Sequence, residues 1–164
     1  MVSTLPVKPA PSSSASAPNT PATSTVSLNM DSPTAFAAIA LAAVSWDGVL
    51  TMAGSRALRH SLDYRKPYQQ YGQKGMVALM DGLLAELRRV GPQHLMLEAA
   101  EQLNARQRTT AFAVAAEIMR SDGPLQDDER NILTSLATTL ELSYSDTAPL
   151  LGAMDLLHAD VLDG

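Results

Sequence analysis

From Pro33 onward, apolar residues recur at three- and four-residue spacing, and no stretch sustains a period of two. That pattern predicts helices throughout and no sheet. Residues 33–45 are apolar almost all round, with Phe36, Ile39, Leu41 and Val44 set among alanines. Such a helix is expected to be buried on every side. Ser32 reads as its N-cap, with Pro33 at the first helical position, and Asp47-Gly48 ends it. Thr51 is placed to cap a second helix that runs to about Leu62. A loop over 63–72 follows and holds three of the four tyrosines. The third helix, 73–90, puts Met76, Met80, Leu83, Leu84 and Leu87 on one stripe, and Gly91-Pro92 stops it. The fourth, 92–103, carries Leu95, Met96, Ala99 and Leu103. Asn104 caps a fifth, 105–120, with Phe112, Ala115, Ala116 and Met119 on one face. The sixth runs from about 126 to 141 through Ile132, Leu136 and Leu140. Ser145 or Asp146 opens the seventh, with Leu150, Met154, Leu157 and Val161 turned inward. The expectation is an all-α domain of about seven helices over residues 33–163.

The chain also repeats itself. One constant shift lays Ala37–Leu50 on Phe112–Leu125, and Ala57-Leu58 on Ile132-Leu133. Each copy reads as an apolar helix, then Asp-Gly, one residue, Leu and a second helix. The helix pairs that start near 33 and 105 are thus expected to be duplicated helix–turn–helix units, with Asp47 and Asp122 in equivalent turns.

The segments Trp46-Asp47-Gly48-Val49-Leu50 and Ser121-Asp122-Gly123-Pro124-Leu125-Gln126-Asp127-Asp128-Glu129 resemble the paired "DG-x-L-x-x-x-E" turns of the TerB-like tellurite-resistance family. The resemblance covers about residues 35–142. It implies a bacterial, internally duplicated helical fold and a part in resistance to tellurite and other stresses. It further implies metal binding through acidic turn residues, and work in multi-protein, partly membrane-associated complexes. The second copy keeps Asp122, Gly123, Leu125 and Glu129. The first keeps Asp47, Gly48 and Leu50, but Gly54 stands where the family carries an acid.

Composition divides the 164 residues unevenly. Within 1–34, 19 positions are Ser, Thr or Pro, and only Lys8 and Asp31 are charged. Residues 1–32 therefore read as a disordered leader, with too few apolar side chains to stabilise a fold. A transit peptide is disfavoured by one Lys and no Arg, and the N-terminus lacks a signal-peptide pattern. Met30 is a candidate alternative start. The formal net charge of -5 disfavours nonspecific nucleic-acid binding. The longest uncharged apolar run, Ala35–Trp46, falls well short of the about twenty residues of a bilayer span. A cytoplasmic protein is expected, without a transmembrane segment and compatible with peripheral membrane association.

The chemistry on offer is carboxylate chemistry. With no cysteine, a metal site must use hard oxygen ligands, which favours Ca²⁺ or Mg²⁺ over thiophilic ions. Asp47, Asp122 and Glu129 are the candidate ligands, with Asp127 and Asp128 nearby. Each of them also has an ordinary structural use, in turns, in a cap or at a helix N-terminus. Trp46 is expected to pack where the two copies meet and to report on a bound cation. A metal-free alternative is a protein-interaction scaffold built on Tyr64, Tyr68 and Tyr71 with Arg65 and Lys66, aided by basic spots at Arg88-Arg89 and Arg106–Arg108. His60, His94 and His158 are the only histidines. None stands beside a nucleophile, and no glycine-rich loop is present to hold phosphate, so a non-catalytic protein is expected.

Overall fold

The computed structural model describes residues 30–162. These form seven α-helices, with no strand among them: α1 Ser32–Val44, α2 Met52–Asp63, α3 Gly72–Val90, α4 Pro92–Ala100, α5 Ala105–Arg120, α6 Asp127–Thr139 and α7 Tyr144–Leu157. One 3₁₀ turn, Tyr68–Gln70, lies between α2 and α3. Among these residues no helix is long and apolar enough to cross a membrane.

α1 is the axis of the fold. Ala35 and the whole run Ala37–Ala43 are buried, and α2, α3, α4, α5 and α6 all pack on it, most extensively α4 and α5. Alanine explains how five helices can share one. Small side chains let helix axes approach closely, and α4 and α5 answer with Ala99, Ala100, Ala111, Ala115 and Ala116, all buried. The remaining space is filled by larger side chains, among them Phe112, Ile39, Leu41, Leu95 and Leu136.

Several sequence expectations change in detail. The N-cap of α1 is Asp31, not Ser32: its carboxylate accepts the Thr34 N–H at 2.9 Å, and Pro33 sits one place further into the helix. Met30 is buried in the core. The folded part therefore takes in Met30–Ser32, which the composition assigns to the leader. α4 ends at Ala100 and α6 at Thr139. The inward stripe of α6 includes Leu133, with Ile132 only half-buried. α7 is capped by Ser143, whose hydroxyl accepts from Asp146 N–H while the Asp146 carboxylate accepts from Ser143 N–H. Its expected inward row fails at the C-terminal end, because Leu157 and Val161 are exposed. α7 packs chiefly on α5 and holds Pro149 in its interior. Leu150 and Met154 are half-buried, and the one buried residue of this helix is Thr147.

The duplication is visible in the backbone. α2 starts at Met52 and α6 at Asp127, with N-caps Thr51 and Gln126, and the sequence shift that aligns the two copies also superposes both starts and both caps. The glycines of the two turns, Gly48 and Gly123, have φ of 87° and 130°. Side chains other than glycine rarely adopt that region, so the Asp-Gly pairs are turn chemistry in both copies.

Candidate functional site

Asp47, Asp122 and Glu129, which come from the equivalent turns of the two copies, line one cavity of about 560 Å³ between them. Its walls pair by repeat. Ala43 faces it with Ile118, Val44 with Met119, Asp47 with Asp122, Ala53 with Asp128, Gly54 with Glu129, and Ala57 with Ile132. Every one of these pairs obeys the same sequence shift, while Trp46, Thr51, Asn131 and Ser135 line the cavity without a repeat counterpart. The symmetry breaks in its chemistry, since the second copy supplies acids where the first has Ala53 and Gly54. Four carboxylates and no Lys or Arg line the cavity. α1 and α5 end there while α2 and α6 begin there, so the partial charges of the four helix ends offset one another. The negative sign therefore comes from the side chains.

The two turn aspartates are used differently. Asp47 Oδ1 accepts the Val49 N–H at 3.0 Å. The equivalent position in the second copy is Pro124, which has no N–H. Asp122 thus lacks the bond that Asp47 makes, and its carboxylate is left exposed at the cavity. Glu129 Oε1 accepts Gln126 N–H at 2.9 Å at the start of α6, which leaves Oε2 free. Trp46 lines the same cavity, where the two copies meet. Asp127 does not; it faces a separate shallow depression with Leu125 and Gln126. Thr51, Asn131 and Ser135 add neutral oxygens to the wall. The spacing of Asp128, Asn131 and Ser135 on α6 is one helical face, a signal that the sequence held.

All the donors are hard oxygens, which fits Mg²⁺ or Ca²⁺. Among the described residues, no three His, Asp or Glu side chains are gathered tightly enough to hold one ion directly. A cation that keeps part of its water shell needs only one or two carboxylates, the habit of Mg²⁺.

The tyrosine loop is largely internal. Tyr68 is 3% exposed, its hydroxyl donates to Pro33 O at 2.6 Å, and Tyr71 packs edge-on against it with ring centroids 5.7 Å apart. Of the three rings only that of Tyr64 is exposed. Burial pushes the Tyr68 phenol well above its ordinary value of 10.0; Tyr71 and Asp31 add to this and Arg65 opposes it. The folded state therefore holds this proton more tightly than the unfolded chain. Below about pH 10 both states are protonated; above it the unfolded chain ionises first and stability falls as pH rises. Tyr68→Phe should cost about 1 kcal/mol at neutral pH through the lost hydrogen bond and should flatten that alkaline decline. Urea unfolding of both proteins from about pH 8 to pH 11 checks this, and parallel declines would refute it.

Several of the remaining candidates are tied into the scaffold. Arg108 donates to Ala100 O and Leu103 O, holding the end of α4. Arg89 pairs with Glu86. His94 Nε2 lies 2.8 Å from Glu98, and His158 Nε2 lies 2.6 Å from Glu117, joining α7 to α5. His60 is exposed.

Comparison with protein families, with characterised proteins and with solved structures finds no match to this chain.

Proposed function

We propose that this protein is a non-catalytic helical module that binds a hydrated divalent cation, Mg²⁺ or Ca²⁺, in the acidic cavity between its two repeats. One observation carries the reading: Asp47, Asp122 and Glu129, acids supplied by the two equivalent repeat units far apart in the chain, line a single cavity together with Asp128, and no Lys or Arg lines it. Asp122 supports it further, because Pro124 denies it the turn bond that would otherwise occupy its carboxylate. The likeness of both turns to the TerB-like family favours the same role and suggests a cytoplasmic stress- or tellurite-resistance system. The scaffold alternative is weakened by the inward packing of Tyr68 and Tyr71, which leaves one of its three rings outside.

Trp46 supplies the test. Titration of the full chain with Mg²⁺ and Ca²⁺ is expected to change its emission saturably, with matching heat by isothermal calorimetry and a higher melting temperature. No emission change, no heat and no melting shift with either ion would refute the proposal.

A further inference from the structure

A second cavity, of about 500 Å³, lies at the opposite end of α1, where α1 and α5 begin. Its lining is opposite in kind to the first. Phe36 and Tyr64 supply aromatic surface with the buried Tyr68 behind them, Arg65, Lys66 and Arg106 supply three positive charges, and no Asp or Glu lines it. None of the three cations makes an ion pair among the described residues, although Arg59, Arg89, Arg108 and Arg120 all do. The nearby acid, Asp31, is engaged as the N-cap of α1.

Arg65 is held in place before any ligand arrives. Its Nε donates to Ser61 O at 2.9 Å and its Nη2 to the Tyr64 hydroxyl at 3.1 Å. The guanidinium carbon sits 6.0 Å from the centre of the Phe36 ring and 5.1 Å from that of Tyr64, within cation–π range. Neither of these bonds uses Nη1. Lys66 and Arg106 are exposed and free to close on a ligand.

We propose that this cavity binds a small phosphate monoester that carries a planar ring, such as a nucleoside monophosphate. The volume lies in the small-molecule range of about 300–1,000 Å³. Three cations without a counter-charge favour the charge of about -1.5 to -2 of a phosphate monoester over a single carboxylate. The aromatic wall favours a flat apolar body. A nucleic-acid strand is disfavoured, because the basic groups line a cavity and not a stripe on a chain of net charge -5. The leader is also a poor occupant, since residues 1–29 hold one charged side chain, Lys8, and no carboxylate side chain.

The test is calorimetry on the full chain with phenyl phosphate and adenosine monophosphate, against inorganic phosphate, benzoate and benzyl alcohol. At least one of the two esters should bind saturably, about tenfold or more tighter than each of the three partial ligands. Lys66→Gln with Arg106→Gln should weaken that ester about tenfold or more, with an unchanged melting temperature, because both side chains are exposed and make no ion pair among the described residues. Each single variant serves if the double one is destabilised. Trp46, in the other cavity, should keep its emission throughout. The proposal fails if neither ester binds, if inorganic phosphate or benzoate binds as tightly, if the variants bind like the parent, or if Trp46 emission follows the ester.

Discussion

Glutamate at any one of Ala37, Ala38, Ala40, Ala42 or Ala43 is expected to unfold the protein. On an ordinary amphipathic helix, a scan of this kind alternates between tolerated and damaging positions with the helical turn. α1 has no tolerated face, because Ala37–Ala42 are 0% exposed and Ala43 is 2% exposed. A carboxylate there would lose its water and find no cation, at a cost of several kcal/mol. It would also overfill a contact built for a methyl group, adding about 1–3 kcal/mol. A domain of this kind is stable by about 5–15 kcal/mol, so one substitution removes most of the margin or all of it. Circular dichroism at room temperature and urea unfolding provide the check. The same change at Ala78 or Ala85, both on the exposed face of α3, should leave stability within about 0.5 kcal/mol. Two or three tolerated positions within Ala37–Ala43 would show that α1 has an open face after all.

The second large effect concerns the acidic cavity, and its variants separate binding from folding. Asp122→Asn and Glu129→Gln each remove a charge while keeping an oxygen. The side-chain carbonyl introduced by Glu129→Gln can still accept the Gln126 N–H that Glu129 Oε1 accepts now, so the cap of α6 survives. Each change is expected to weaken Mg²⁺ about tenfold or more, because affinity for hard cations follows the count of anionic ligands. Stability should hold or rise, since four like charges share the cavity walls. Glu129→Ala should weaken the ion equally and also cost about 1 kcal/mol through the lost cap. Asp127→Asn should leave binding unchanged, because Asp127 lies outside the cavity. Calorimetry with Mg²⁺ on the four variants decides. If Asp127→Asn weakens binding as much as Asp122→Asn does, the ion is only part of a diffuse surface atmosphere.

Much of this site was legible in the chain. The turns could be read because Asp-Gly has a local cause, the positive φ that Gly48 and Gly123 adopt, and because the duplication repeated that cause at a fixed interval. The N-caps Thr51 and Asn104 were legible for the same reason, as short polar side chains one turn from the N–H groups they accept. The cap of α1 is ambiguous in the sequence because Asp31 and Ser32 are both good caps in adjacent positions, and the structure uses Asp31. The apolar spacing of α7 is genuine, but no surface receives its last turn: Leu156, Leu157, Val161 and Leu162 remain exposed. The tyrosine loop looked like a docking surface because ring composition does not reveal direction, and Pro33 O, distant in the chain, draws Tyr68 inward.

Local chemistry in the sequence was therefore enough for the helices, their order and the equivalence of the two turns, since periodicity, caps and glycine conformation act within a few residues. It was also enough to show that α1 must be enclosed, because no polar face exists to meet water. Only the tertiary structure decided which side chains share a space. Packing of the two copies joins Asp47 to Asp122, Asp128 and Glu129, and packing of α1 and α5 brings Arg106 to Arg65 and Lys66. Those encounters depend on contacts between residues far apart in the chain, whose geometry is set by how alanine-lined helices close on one another and by no single segment.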